Sequence, residues 1–510
     1  MPKTFFFKRY FINNETCLFN PLFNEKWLFL SSSHFMFSKW VVLFWTIVGG
    51  VIFPLASGWA WEVNTHKEIT KEAITVVEAH LSTHLIDNLG LEGGLNASLP
   101  GGTPITLMQQ GSNDEDNGIR FFRHFHDPIS NAGLAHFDSA IDWSLRSIGN
   151  QGGDAYSWND AREYFFKALT SPTKAERDQN WSNTFRALGQ VMHLLQDSAN
   201  PSHVRADLHP LDDGLHDYME RKSVGSYIGG GIFSPDPSML EQIGATRAEP
   251  FSNLFDRNVY SGSNPKVTLG TDIGVTEYTN ANFFTDDTIP GQGSIFNAEI
   301  TYPAVTELVP APIPSPYLTL PRLGSTAFSG ARTAKLTGNQ AVAKFLLTNT
   351  NLDLLGQLKL DDAVYEAQAQ NLIPRAVGYS AAVLSYFFRG DLLLQRSEYK
   401  MCSNPDGTFQ PGGHLAVDVE VPSNLLLEGQ GAFYYDLPDG SRVSTGEGPI
   451  GPTDIELGGG KYFLLSQLSF FEPIQWTIVL QGEMGPGAKE PRAVVALSGK
   501  APWVDEKCPI

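Results

Sequence analysis

Between Met192 and Arg221 the chain reads HLLQDSANPSHVRADLHPLDDGLHDYME, a stretch that carries His193, Asp197, His203, His216 and Glu220. Imidazole and carboxylate groups together suit zinc, and the pairs His193/Asp197 and His216/Glu220 are spaced i,i+4, on one face of a helix. Taken singly, such a pair is commonly no more than a weak ion pair on a solvated helix. The apolar residues Phe185, Leu188, Met192 and Leu195 form one stripe, and His193 and Asp197 fall to another side of it, which argues against a core role for them. Asn200-Pro201 ends that helix, because the residue before proline is pushed out of the α region, so His203 begins a turn. A ligand cluster drawn from one short stretch needs such a break.

Three upstream elements add to the set: WEVNTH (61–66), GSNDED (111–116) and RHFHDP (123–128). Alone, His66 reads as a cap or surface residue and Asp116 as a turn residue. With the downstream five, and with a free N-terminus at Trp61, they supply enough ligands for three zinc ions with open positions. Two such ions about 3.5–4 Å apart would hold a hydroxide, since coordination lowers the pKa of water to near 7, and that hydroxide is a nucleophile for hydrolysis. The remaining ion neutralises the leaving oxygen. Asp116, beside the nucleophile, is the candidate to orient or deprotonate it. Glu115, Asp127 and Asp217 are candidates to fix the imidazole tautomers.

The elements that must hold these residues are mainly helical. Helical patterns run through HKEITKEAITVVEAHL, LAHFDSAIDWSLRSI, DAREYFFKAL and WSNTFRALGQVMHLLQD, and return in ARTAKLTGNQAVAKFLLTNT and IPRAVGYSAAVLSYFFRG, where Pro374 suits a first turn and Gly390 an end. Residues 226–330 are rich in Gly, Pro, Ser and Thr, with the character of a lid, a binding loop or a mobile insertion. After about Arg396 the period becomes two, in HLAVDVEV, GAFYYDLP, KYFLLSQLSFF, QWTIVLQGEM and RAVVALSG, which predicts a separate antiparallel β-sandwich over 396–510.

Residues 1–60 differ from the rest. Lys39, the apolar run WVVLFWTIVGGVIFPLA and the small residues of Gly58-Trp59-Ala60 follow the order of a secretory signal, with Met36 a more ordinary start. Cleavage after Ala60 makes Trp61 the mature N-terminus and the protein secreted or periplasmic. Cys402 and Cys508 then remain as an even pair, and are expected to form a disulfide. At 510 residues the chain is long enough for two or more domains, and its net charge of −19 disfavours a stable nucleic-acid partner.

The order and spacing of these ligands resemble the superfamily of bacterial zinc-dependent phospholipases C and the fungal and plant zinc single-strand nucleases. The motifs cover about 61–220, and the helical pattern extends the likeness to Gly390. The resemblance implies a mainly α fold, with a helical trinuclear zinc domain over 61–395 followed by the small all-β domain. It assigns one zinc to Asp116, His124, His193 and Asp197, a second to Trp61 and His66 with Asp197 as a bridge, and a third to His203, His216 and Glu220. Glu220, where the nucleases usually have aspartate, favours phospholipase C-type hydrolysis, as does Phe121, which matches an aromatic used near a choline head group. Asn117, in place of a tyrosine, speaks against choline. The five-residue step from Trp61 to His66 is closer to the nucleases, in which Phe125 would be a stacking ring. The partner expected is a phospholipid or other phosphodiester, with peripheral contact to a membrane surface. A single-strand nuclease and a non-catalytic secreted zinc-binding protein are the alternatives.

Overall fold

The computed structural model describes residues 63–507, apart from 119, 153–154, 209–213, 243–246, 248, 286–287, 289–302, 304–306, 311–316, 325–336, 339–359, 423–424, 426–427, 451–460 and 466–472. Trp61, the signal-like segment 1–60 with Met36, Cys508 and most of the helical pattern over 331–350 therefore lie outside the described residues.

Local sequence starts each helix. Helix α1 spans Val63–Thr83. In α2 (Pro104–Asp114) Thr103 and Thr106 form a capping box and Pro104 takes the first turn. The short α3 (Ala140–Ser144) is all that forms within LAHFDSAIDWSLRSI, because the Ser139 hydroxyl caps the Asp142 N–H and so fixes the start only at Ala140. Capping boxes Ser157/Asp160 and Thr173/Glu176 open α4 (Trp158–Thr170) and α5 (Lys174–Asp197). Asn200 caps α6 (Pro201–Val204), and α7 (Gly214–Met219), α8 (Gly225–Ile228), α9 (Val275–Asn282) and α10 (Asp362–Phe387) complete the helices used below. Pro374 lies inside α10 rather than in its first turn. The helix begins earlier because Asp361 accepts from the N–H groups of Ala363 and Val364 at 3.0 and 3.1 Å, and Phe233 N–H donates to the Pro374 carbonyl at 3.2 Å.

The span 226–330 is not a lid over its described part. Met239, Phe251, Phe255, Tyr278 and Phe283 are all buried in the main core. Buried Glu277 accepts from the backbone N–H groups of Arg257, Val259, Tyr260 and Gly274, which gives an irregular path internal partners. The short strands β1 (Val309–Pro310), β2 (Tyr317–Thr319) and β3 (Thr337–Gly338) pair at its end.

The C-terminal strands form two four-stranded sheets. One has the order β10-β9-β6-β7 (Glu490–Ala501, Ile474–Met484, Glu428–Asp436, Arg442–Ile450), the other β11-β4-β5-β8 (Trp503–Lys507, Leu393–Ser403, Phe409–Glu420, Lys461–Leu465). All pairings are antiparallel except β11 with β4, which is parallel and sets Glu506 opposite Cys402. That register ends at Lys507 opposite Ser403, and Cys402 is a free cysteine; its expected partner Cys508 lies outside the described residues. The sandwich is also not a separate module. Along β9 and β10, Val479, Val494 and Ala496 enter the helical core while Ile478, Leu480, Val495 and Leu497 enter the core between the sheets. Alternation thus buries both faces of the first sheet. The described residues on both sides of 395 belong to one compact unit.

Candidate metal centre

Helices α2 and α5 cross at two glycines. A Cβ on Gly111 would lie 2.0 Å from the Arg186 carbonyl oxygen, and one on Gly189 would lie 2.1 Å from that of Met108, so only glycine permits the approach. The crossing brings the C-terminal end of α2, and Asp116 just beyond it, against the second half of α5. There every residue from Thr184 to Asp197 is buried except Arg186, so His193 and Asp197 are core residues after all. Helix α5 is enclosed on all sides at this level, which the single apolar stripe does not reveal.

His66 from α1, Asp116, His124, His193, Asp197 and His203 from α6 converge here. His66, His124, His193 and Asp197 are 0 % exposed, His203 1 %, and the Asp116 side chain 16 %. Asp197 is the hub. Its Oδ1 lies 3.2 Å from His66 Nε2, and its Oδ2 lies 2.8, 3.1 and 3.6 Å from His124 Nδ1, His193 Nε2 and His203 Nδ1. Asp116 Oδ1 stands 3.4 Å from His193 Nε2 and 3.6 Å from His124 Nδ1. The His66 and His193 rings stack with centroids 3.8 Å apart.

The outer partners fix which nitrogen of each ring faces inward. His193 Nδ1–H donates to the Ser112 carbonyl at 2.6 Å, and His66 Nδ1–H donates to Gln196 Oε1 at 2.8 Å. The Gln196 amide nitrogen in turn donates to the Thr70 and Ser380 hydroxyls at 3.0 and 3.3 Å. The Nε2 lone pairs of His66 and His193 are therefore aimed at carboxylate oxygens. His66 Nε2, Asp116 Oδ1 and both Asp197 oxygens are buried without a hydrogen bond. Imidazole nitrogens facing carboxylates in a buried site suit a cation between them, and this donor set fits a divalent ion of the zinc type.

The titration pattern follows. Burial opposes a charge on His193, but Asp116 and Asp197 outweigh it and hold the imidazole well above its ordinary value. Burial likewise works to raise Asp197, yet the four imidazoles around it hold the carboxyl well below the usual range. Asp116 is lowered against its own burial, chiefly by His193. Burial, then the neighbouring His193, lowers His66.

Ligand atoms close to within 4.8 Å of one another in three groups: His66/Asp116/His193, His124/Asp197/His203 and His216/Asp217/Glu220. His203 Nδ1–H donates to the His124 carbonyl at 3.3 Å and its ring stacks on Phe125 at 4.7 Å. Asp217 and Glu220 are exposed. Asp114 pairs with Arg186 at 2.7 Å and stays out of the cluster.

Of the three outer acids, Glu115 is buried 3.9 Å from His124 Nε2 and is held by Trp143 Nε1–H and Arg120. Asp127 instead caps its own turn at Ile129 and Ser130. Phe125 is buried beneath His203, so it offers no free face to a base, and Phe121 is buried as well. Gln196 and Ser112 orient ligands without a sequence signal of their own. Gln196 is detectable only as an uncharged polar residue inside the apolar run HLLQD.

The chain matches no family model and no curated relative. Among solved structures it is similar to the alpha toxin from Clostridium absonum, at 12 % identity over 87 % of this chain and 98 % of that one with a TM-score of 0.29. A second likeness is to the Clostridium perfringens alpha-toxin from avian strain SWCP, at 13 % identity over 88 % and 98 % with a TM-score of 0.24. Both likenesses are faint.

Proposed function

We propose that this chain is a zinc-dependent phosphodiesterase that binds three zinc ions and hydrolyses a phospholipid in the manner of a phospholipase C. The observation that carries the reading is the pair of buried imidazoles, His66 and His193, locked with their Nε2 lone pairs toward Asp116 and Asp197. Bound there, zinc supplies a water acidified toward neutral pH and a positive charge for phosphoryl oxygens. His66, His193, His124 and His203, with Asp197 at their centre, bind. Gln196 and Ser112 orient the rings of His66 and His193. Asp116 is the one carboxylate of this inner cluster with solvent access, 16 % against 0 % for Asp197, so it is the group suited to take a proton from an entering nucleophile. On this reading His216 and Glu220 hold the third ion, with Trp61 completing the second.

The test is to assay zinc-loaded protein against phosphatidylcholine, phosphatidylethanolamine and single-stranded DNA, before and after chelation and on zinc return. Head-group release that is lost with chelator and restored by zinc is the expected result. Cleavage of DNA alone would move the assignment to a nuclease, and a zinc-loaded protein inert to every phosphodiester would refute it.

A further inference from the structure

A groove of about 670 Å³ lies between α1, α10, the 234–241 segment and the β9–β10 turn, in the size range of small-molecule sites. Its walls include Val77, Leu240, Ala382, Leu425 and Met484, and Arg389 lines it at the C-terminal end of α10. None of the ligands named above lines it. The Arg389 guanidinium sits 3.5 Å from the Tyr386 ring centroid and donates through Nη1 to the Tyr386 carbonyl at 2.5 Å. Among the described residues the carboxylate that acts on it is that of Glu490, which forms no salt bridge with it. Asp391 is engaged by His84 and Asn88 at 3.0 and 2.7 Å, Glu241 is exposed, and Glu490 accepts from Trp158 and Tyr386.

We infer that this groove binds an amphipathic monoanion, a long-chain carboxylate, with its head on Arg389 and its tail along the apolar walls. One planar guanidinium matches one carboxylate. A multiply charged phosphate or nucleotide needs several donors, which these walls lack. A neutral lipid would bury hydrocarbon and leave the guanidinium unmatched. The assignment stands apart from the phosphodiesterase reading, and zinc-dependent hydrolysis measured on the same preparations separates the two.

The experiment is calorimetric titration of the full zinc-loaded chain with laurate, with acetate and dodecyltrimethylammonium as head-only and opposite-charge controls. Laurate should bind saturably with one site while acetate and the cation do not. Arg389→Met should weaken laurate by about tenfold, the worth of a charged hydrogen bond. Ala382→Phe, or Val77→Phe if that variant fails to fold, should fill the groove and abolish binding. No saturable laurate binding, equal binding of the cation, or laurate affinity unchanged in Arg389→Met and in the groove-filling variant would each overturn the proposal.

Discussion

At the scale of single residues, the site depends on which imidazole nitrogen carries the proton. Gln196 sets this for His66, so Gln196→Leu should weaken zinc binding by about 10–100-fold, the usual cost of losing an outer-shell partner, while leaving every ligand in place. Competition with a chromogenic chelator reads this directly, and an unchanged affinity would show that Gln196 does not hold the ring. Asp197→Asn removes the one carboxylate that all four imidazoles face, and should lower bound zinc per chain by elemental analysis and abolish chelator-sensitive activity. The pH response separates the metal-free and metal-loaded proteins. His193 has a folded value raised above 6.5, so its contribution is present below 6.5 and is lost as pH rises through that raised value. His66 is lowered and changes charge only below 6.5, and Asp116 and Asp197 lose their contribution only in acid, below 3.8. Chelated protein should therefore lose melting temperature as pH rises above 6.5. Zinc binding displaces the His193 proton, so the stabilisation that zinc confers should grow over the same window. Parallel melting curves with and without zinc check the sign, and stabilisation by zinc that shrinks as pH rises would exclude His193 as a ligand.

At the scale of elements, the α2–α5 crossing positions the centre, and Gly189 is its tightest requirement beside Gly111. Gly189→Ala should cost about 1–3 kcal/mol as an overpacked contact, and should also weaken zinc by moving the Ser112 carbonyl from His193. Urea unfolding and a zinc titration measure the two effects; a loss of stability with zinc affinity intact would uncouple the crossing from the site. Neither glycine stands out in the sequence, because a glycine inside a helical period signals weakness before it signals contact. The helices themselves were legible where the period is strong, as in 160–169 and 181–197, while the capping boxes that start them at Trp158 and Lys174 lie upstream of those patterns. Strand β4 was not, since its first six residues are exposed or half-buried and carry no alternation. The 250–284 path was hidden for a different reason: its core aromatics come at irregular spacing and its polar backbone is satisfied by Glu277. In the site, ligand types are visible by chemistry alone, whereas the hydrogen bonds that orient His66 and His193 run to Gln196 and the Ser112 carbonyl, which no sequence pattern encodes.

At the scale of the whole molecule, a buried acid lies at the junction of the β-sandwich with the helices. Glu490 on β10 accepts from Trp158 Nε1–H at 2.5 Å and from the Tyr386 hydroxyl at 3.0 Å, and stands 3.9 Å from the Arg162 guanidinium. Arg162 and Glu490 are both fully buried, and burial pulls the guanidinium down to about 10 even with this carboxylate beside it. Removing the negative partner leaves a buried cation whose other bond is to the Phe387 carbonyl at 3.0 Å. Glu490→Gln should therefore cost about 3–5 kcal/mol, and Arg162→Met in the same chain should recover part of it, since the lone charge is what destabilises. Because Tyr434, Val479, Val494 and Ala496 belong to the helical core, the loss cannot stay within the sandwich. Calorimetry of the zinc-loaded chain should show one transition, with equal calorimetric and van't Hoff enthalpies, that Glu490→Gln moves down as a unit together with zinc release. Two transitions, with only the one unrelated to zinc responding to Glu490→Gln, would mean that the sandwich folds independently and that this junction does not stabilise the metal centre.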